Sequence, residues 1–150
     1  MKKTRLLSLL LAVLLVVCAI PFTVSAAAEV ITVNGERVAL VNSFGKMNYE
    51  GKAHQTFKTF DEAFNALGKE GGKIVFTGKI ALPNFKDIKG RAPITIQGIG
   101  TKATGNLLDF SGTADAPVSE INLEGDLTLN FVTIRLAPGA YLYTNGFALG

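Results

Sequence analysis

Few side chains in this sequence are suited to chemistry, and they fall into three groups. The acids after Asp87 are Asp109, Asp115, Glu120, Glu124 and Asp126. Calcium takes about six to eight oxygen ligands, so a site would need several of these acids gathered together. Asp109 and Asp126 are the two that neighbouring turns of chain could bring close. Asp favours turns, so solvated turn acids are the plainer reading, and the same objection meets a pair of acids working on a glycosidic bond. Two bases form the second group. Arg135 ends a short apolar segment with no carboxylate partner legible in the sequence, which reads as a surface residue. His54 is the only histidine, and zinc calls for further His or Cys ligands that the chain beyond residue 26 does not supply. The third group is aromatic. Tyr141 and Tyr143 stand at i and i+2 and so share one strand face, where together with Phe147 they could offer a platform for sugar rings. Packing within a half-buried strand is the plainer reading for them too.

No phosphate-binding loop, Gly-x-Ser-x-Gly elbow or nucleotide fingerprint occurs, and Gly98-Ile99-Gly100 is turn chemistry only. No catalytic, metal-ligating or cofactor-binding residue is therefore assigned, and no cofactor is expected.

The elements that must position these side chains are short. Val30–Val33 and Arg37–Val41 read as two strands about Asn34-Gly35, a strong hairpin signal. Residues 42–55 are polar and rich in Gly, Asn and Lys, and read as a loop. A helix is predicted to start at Thr59, whose hydroxyl can accept from the Glu62 amide while the Glu62 carboxylate reaches back. Phe60, Ala63, Phe64 and Leu67 then recur on one face, and Gly68 ends the helix. At about two turns it cannot stand alone, so its apolar face must lie against the strands that follow.

Beyond Gly71-Gly72 the chain becomes a series of brief alternating segments: 73–76, 79–82, 93–96, 107–110, 121–123, 126–129, 132–135 and 140–143. Strands this short bury little individually. Stacked as successive turns of a coil, they would share one continuous apolar interior. The Ile74 and Ile94 segments lie one plausible turn apart.

At the other end, Lys2, Lys3 and Arg5 precede an apolar run from Leu6 to Ile20, followed by Pro21 and the small residues Ser25, Ala26, Ala27 and Ala28. This is the pattern of a bacterial export signal over residues 1–26, with cleavage expected after Ala26 or, second, after Ala28. The run falls short of the roughly 20 apolar residues a membrane span needs. Cys18, the single cysteine, lacks the small preceding residue of a lipoprotein signal because Val17 stands there. Without the signal the chain has no thiol, so disulfides cannot hold it together. Lys2, Lys3 and Arg5 are three of the 15 basic residues, leaving 12 against 12 acidic ones. That balance argues against a nucleic-acid partner, and no membrane span is expected after signal removal.

The run from Phe57 to Leu67, followed by Gly71-Gly72-Lys73-Ile74-Val75-Phe76, resembles the N-terminal cap and first coil of the pectate-lyase-like superfamily of right-handed parallel β-helices. Ile94-Thr95-Ile96-Gln97-Gly98 and residues 127–134 resemble its later coils. The resemblance covers roughly residues 56–147. It implies an all-β fold: a right-handed parallel β-helix over residues 56–150, closed by the capping helix and preceded by a hairpin and loop at 27–55. It also implies an extracellular polysaccharide partner and, in the enzymes of the superfamily, Ca²⁺ with an Arg or Lys base on middle coils. No second cap is visible and residues 143–146 read like the opening of another turn, so a fragment of a larger surface protein is expected. The functional expectation is a secreted or surface-associated β-helix segment without catalysis of its own. Its rivals are the leading part of a lyase or glycosidase and an independent carbohydrate-binding or adhesion module, with Tyr141 and Tyr143 as the candidate contacts.

Overall fold

The computed structural model describes residues 27–81, 93–122, 125–144 and 148–150. The export signal expected at 1–26, with Cys18, therefore lies outside the described residues, as do Glu124 and Phe147. Among the described residues the architecture is all-β, with one short α-helix and no closed barrel.

Strands β1 (Ile31–Val33) and β2 (Glu36–Val41) form the antiparallel hairpin that Asn34-Gly35 predicts, both turn residues holding positive φ. Residues 42–55 are not simply a loop: β3 (Lys46–Tyr49) and β4 (Lys52–Gln55) pair antiparallel within them. Their turn is Glu50-Gly51, both at positive φ. Glu at the first turn position is a weak hairpin signal beside Asn or Asp, and the strands are polar enough to pass for loop.

Helix α1 (Phe60–Leu67) carries the full capping box. The Glu62 amide donates to Thr59 Oγ1 at 3.2 Å, and the Glu62 carboxylate accepts from the amides of Lys58 and Thr59. Phe60, Ala63, Phe64 and Leu67 are all buried. The helix lies chiefly on β2, which precedes it in the chain with β3 and β4 between, and only secondarily on the strand that follows. Arg37 of β2 ties down the other helix end, donating from Nη2 to the Leu67 carbonyl at 3.2 Å while its guanidinium pairs with Glu70. A cation at that position meets the negative end of the helix dipole.

The remaining strands are β5 (Gly72–Phe76), β6 (Gly78–Ala81), β7 (Ile94–Gly98), β8 (Asn106–Asp109), β9 (Glu120–Asn122), β10 (Leu127–Asn130), β11 (Thr133–Arg135) and β12 (Tyr141–Tyr143). Every pairing among them is parallel, and β2 joins β5 in parallel as well. They fall into three sheets: β1-β2-β5-β7-β10, β6-β8-β11, and β9-β12. The chain visits these sheets in rotation. β7, β8 and β9 take one place in each, β10, β11 and β12 take the next place in the same order, and Leu149 then bridges back to Leu127 beside β10.

The register turns this rotation into columns of side chains. Ala39, Ile74, Ile96 and Leu129 stand beside one another across four strands of the first sheet. Ile80, Leu108 and Ile134 do so in the second, and Ile121 and Leu142 in the third. Ile74 meets Ile96 rather than Ile94, so the first return is two residues longer than the segment starts suggest. Ala39, Ile74, Ile96, Ile80, Leu108 and Ile121 belong to one buried cluster, which the apolar face of α1 also joins. A smaller cluster sits on the opposite face of the first sheet, where Val38, Leu40 and Val75 are covered by Met47 of the β3–β4 hairpin.

One corner is especially tight. Asn106 is buried, and its Nδ2 donates to the carbonyls of Ile99, Lys102 and Phe131, at 3.0, 3.3 and 3.3 Å. Gly98 lies against this amide and against the Phe131 carbonyl, which leaves no room for a side chain.

Candidate functional site

The two tyrosines are the sequence-predicted contacts, and the structure puts them outside. Residue Leu142 of β12 stands beside Ile121, so its neighbours Tyr141 and Tyr143 face the opposite way. Both are exposed, at 63% and 43%, which corrects the plainer expectation that they pack within the stack. Their rings lie side by side, with centroids 6.2 Å apart and planes 32° from each other. The physical reason is the position of β12: among the described residues it is an edge strand, flanked by β9 alone. Glu120 of β9 is directly opposite Tyr141 and is itself exposed. The arrangement is two adjoining apolar ring faces with a carboxylate at the edge, suited to a ligand that has flat CH surfaces and hydroxyl groups.

Asp109 departs further from its reading as a solvated turn acid. It ends β8 almost wholly buried, and both carboxylate oxygens are engaged. Oδ1 accepts from Ser111 Oγ at 2.6 Å and from the Ser111 amide at 3.1 Å. Oδ2 meets Lys79 Nζ at 2.8 Å and Arg135 Nη1 at 3.5 Å. The carboxylate partner for Arg135 that the sequence did not reveal is thus Asp109, one strand away in register. Lys79 and Arg135 come from the strands on either side, so the acid clasps all three strands of its sheet. The hydrogen bonds from Lys79 and Ser111 outweigh burial and hold the Asp109 carboxyl well below the usual carboxylate range. A group depressed in this way adds stability that is present above its ordinary pKa and is lost as pH falls through the folded value. The chain should therefore lose stability as pH drops below about 4. Asp109→Asn should flatten that dependence and cost about 1–2 kcal/mol at neutral pH through its weakened charge-assisted bonds. Urea unfolding at a series of pH values measures both effects.

Asp126 does not join Asp109. Its Oδ1 accepts from the Ala148 amide at 2.9 Å, in the first sheet, and so holds the returning chain beside β10. Among the described residues, no three His, Cys, Asp or Glu side chains gather as a metal site. His54 sits on β4 opposite Met47, half-buried, at a shallow hollow that Glu29 and Lys46 also line. A larger cleft of about 470 Å³ lies beside the start of α1, lined by Asn42, Ser43, Lys58, Thr59 and Lys79 together with the highly exposed Phe44.

Sequence reasoning placed the tyrosines on one face but misjudged which face the stack leaves open. The signal was present in Leu142, the apolar residue between them. No helix among the described residues is long and apolar enough to cross a membrane. No family model, curated protein or solved structure matches the chain.

Proposed function

We propose that this chain is an exported, non-catalytic carbohydrate-binding segment wound as a right-handed parallel β-helix, with Tyr141 and Tyr143 as its sugar platform. The observation that carries the reading is the exposure of two adjoining tyrosine rings on one outward strand face, with Glu120 alongside. Solvent-facing aromatic pairs cost solubility unless something covers them, and a ring face with a polar tip suits a partner that is apolar on one side and wet on the other. The export pattern of residues 1–26 would deliver the protein to extracellular polysaccharide. Parallel pairings from β2 onward, distributed in rotation over three sheets, support the coil. The non-catalytic reading is supported by Asp109, whose oxygens are taken up by Lys79, Ser111 and Arg135.

A glycan array probed with the exported chain is the direct test, followed by calorimetric titration of the best-retained glycan. Replacing both rings (Y141A with Y143A) should weaken binding at least about tenfold, equivalent to about 1.4 kcal/mol. Because both side chains are exposed, stability should stay within about 0.5 kcal/mol of the parent. Unchanged retention by the double variant would remove the platform from the account. Release of unsaturated or reducing sugar from any retained polysaccharide would end the non-catalytic reading.

A further inference from the structure

We propose that the cleft beside the start of α1 receives an extended peptide, which pairs its main chain with the free edge of β6 and sets an acidic side chain against Lys58. Thr77, Gly78, Lys79, Ile80 and Ala81 line the cleft consecutively, so both faces of the strand contribute, and no residue of β8 does. A cavity lined in that way follows the edge of β6 that points away from β8. The edge is open for a topological reason. In the first sheet β2 lies before β5, whereas the second sheet begins at β6, with β8 as its single neighbour among the described residues. Apart from the β8 ladder, no backbone–backbone hydrogen bond engages residues 77–81 among the described residues. Amides and carbonyls at alternate positions of β6 are therefore left facing the cleft.

Three features select a peptide strand that carries an acid. Main-chain groups along a strand edge match the spacing of another strand, and a cleft of about 470 Å³ beside four residues of strand, about 13 Å of edge, has room for a short one. Native edges are often guarded by an outward lysine, but here Lys79 is drawn to Asp109, with Nζ 2.8 Å from Oδ2. The second feature is charge. No Asp or Glu lines the cleft, and Lys58, which does, takes part in none of the ion pairs among the described residues. The amides of Lys58 and Thr59 are already taken by the Glu62 carboxylate, so a negative group would meet the Lys58 ammonium rather than the helix start. Phe44 supplies the third, an apolar contact. It is 91% exposed, yet its turn is fixed: the Phe44 amide donates to Asn42 Oδ1 at 2.7 Å, and the Thr56 hydroxyl donates to the Asn42 carbonyl at 3.1 Å. An aromatic side chain presented to water on a firm turn is ready for a partner without further ordering. The proposal is independent of what the tyrosine pair holds.

An array of random acetylated hexapeptides on glass, probed with the chain, tests it, followed by fluorescence-anisotropy titration of the best-retained peptide. That peptide is expected to carry an Asp or Glu together with an apolar residue. Lys58→Glu should weaken its binding at least tenfold and Phe44→Ala at least fivefold, with circular dichroism unchanged because both side chains are exposed. Should Lys58→Glu lose its spectrum, Lys58→Gln reads the charge alone. N-methylation of alternate peptide amides removes main-chain donors, leaves every side chain in place, and should weaken binding at least tenfold. The Tyr141→Ala, Tyr143→Ala variant should bind the peptide as the parent does. A bare array, retention indifferent to the Lys58 variants, full binding of the N-methylated peptide, or loss of binding in the tyrosine variant overturns the proposal.

Discussion

Gly98→Ala is expected to destabilise the fold by about 3 kcal/mol, more than its single added methyl would suggest. A Cβ at position 98 would run into the Phe131 carbonyl and the Asn106 side-chain amide. Neither neighbour can step aside cheaply. The carbonyl belongs to the turn between β10 and β11, where Phe131 already holds a positive φ. The amide is fixed by three backbone carbonyls, two on its own turn and one on the next. Moving it would break three part-buried hydrogen bonds, each worth about 0.5–1.5 kcal/mol. The two sites should therefore couple. Asn106→Ala alone should cost about 2–3 kcal/mol in lost hydrogen bonds, and the double variant should be less unstable than the sum of the singles, because removing the amide relieves part of the clash. Chemical denaturation of the four chains measures this. Strict additivity would mean that the corner is not packed as described.

The second large effect concerns one column read at two depths. Leu108→Ala should cost about 2–5 kcal/mol, since its side chain is wholly enclosed between Ile80 and Ile134 and a cavity would remain. Ile134→Ala, with similar chemistry in the next place of the same column, should cost less than about 1.5 kcal/mol, because a large part of that side chain already meets water. The comparison is sensitive to architecture. In a sandwich or a closed barrel the two positions would have no reason to differ in this order. Equal losses would break the column.

The columns themselves were largely legible in the sequence. Alternation in Ile94-Thr95-Ile96, the paired glycines before Lys73 and the Thr59–Glu62 capping box each correspond to an observed strand, strand start or helix start. Local chemistry decides such features, so local sequence reports them. Three things were not legible, each for a physical reason. The β3–β4 hairpin is stabilised by Met47 closing over Val38, Leu40 and Val75, a contact between distant segments that strand composition does not announce. The burial of Asp109 depends on Lys79 and Arg135, which are brought alongside only by parallel register, with sequence separations no motif fixes. The exposure of Tyr141 and Tyr143 depends on β12 being the outer strand of its sheet, a property of the assembled stack rather than of residues 141–143.

Parallel order among the strands after residue 72 is the claim on which the proposed tyrosine platform and the Asp109 clasp both rest. Nuclear Overhauser contacts in the isotope-labelled chain test it most directly. The account predicts methyl contacts from Ile80 to Leu108 and from Leu108 to Ile134, and from Ile74 to Ile96, with no close Hα–Hα pairs between β5 and β7 or between β6 and β8. Strong Hα–Hα contacts across those pairs, as antiparallel strands give where facing Cα atoms approach to about 4.5 Å, would contradict it.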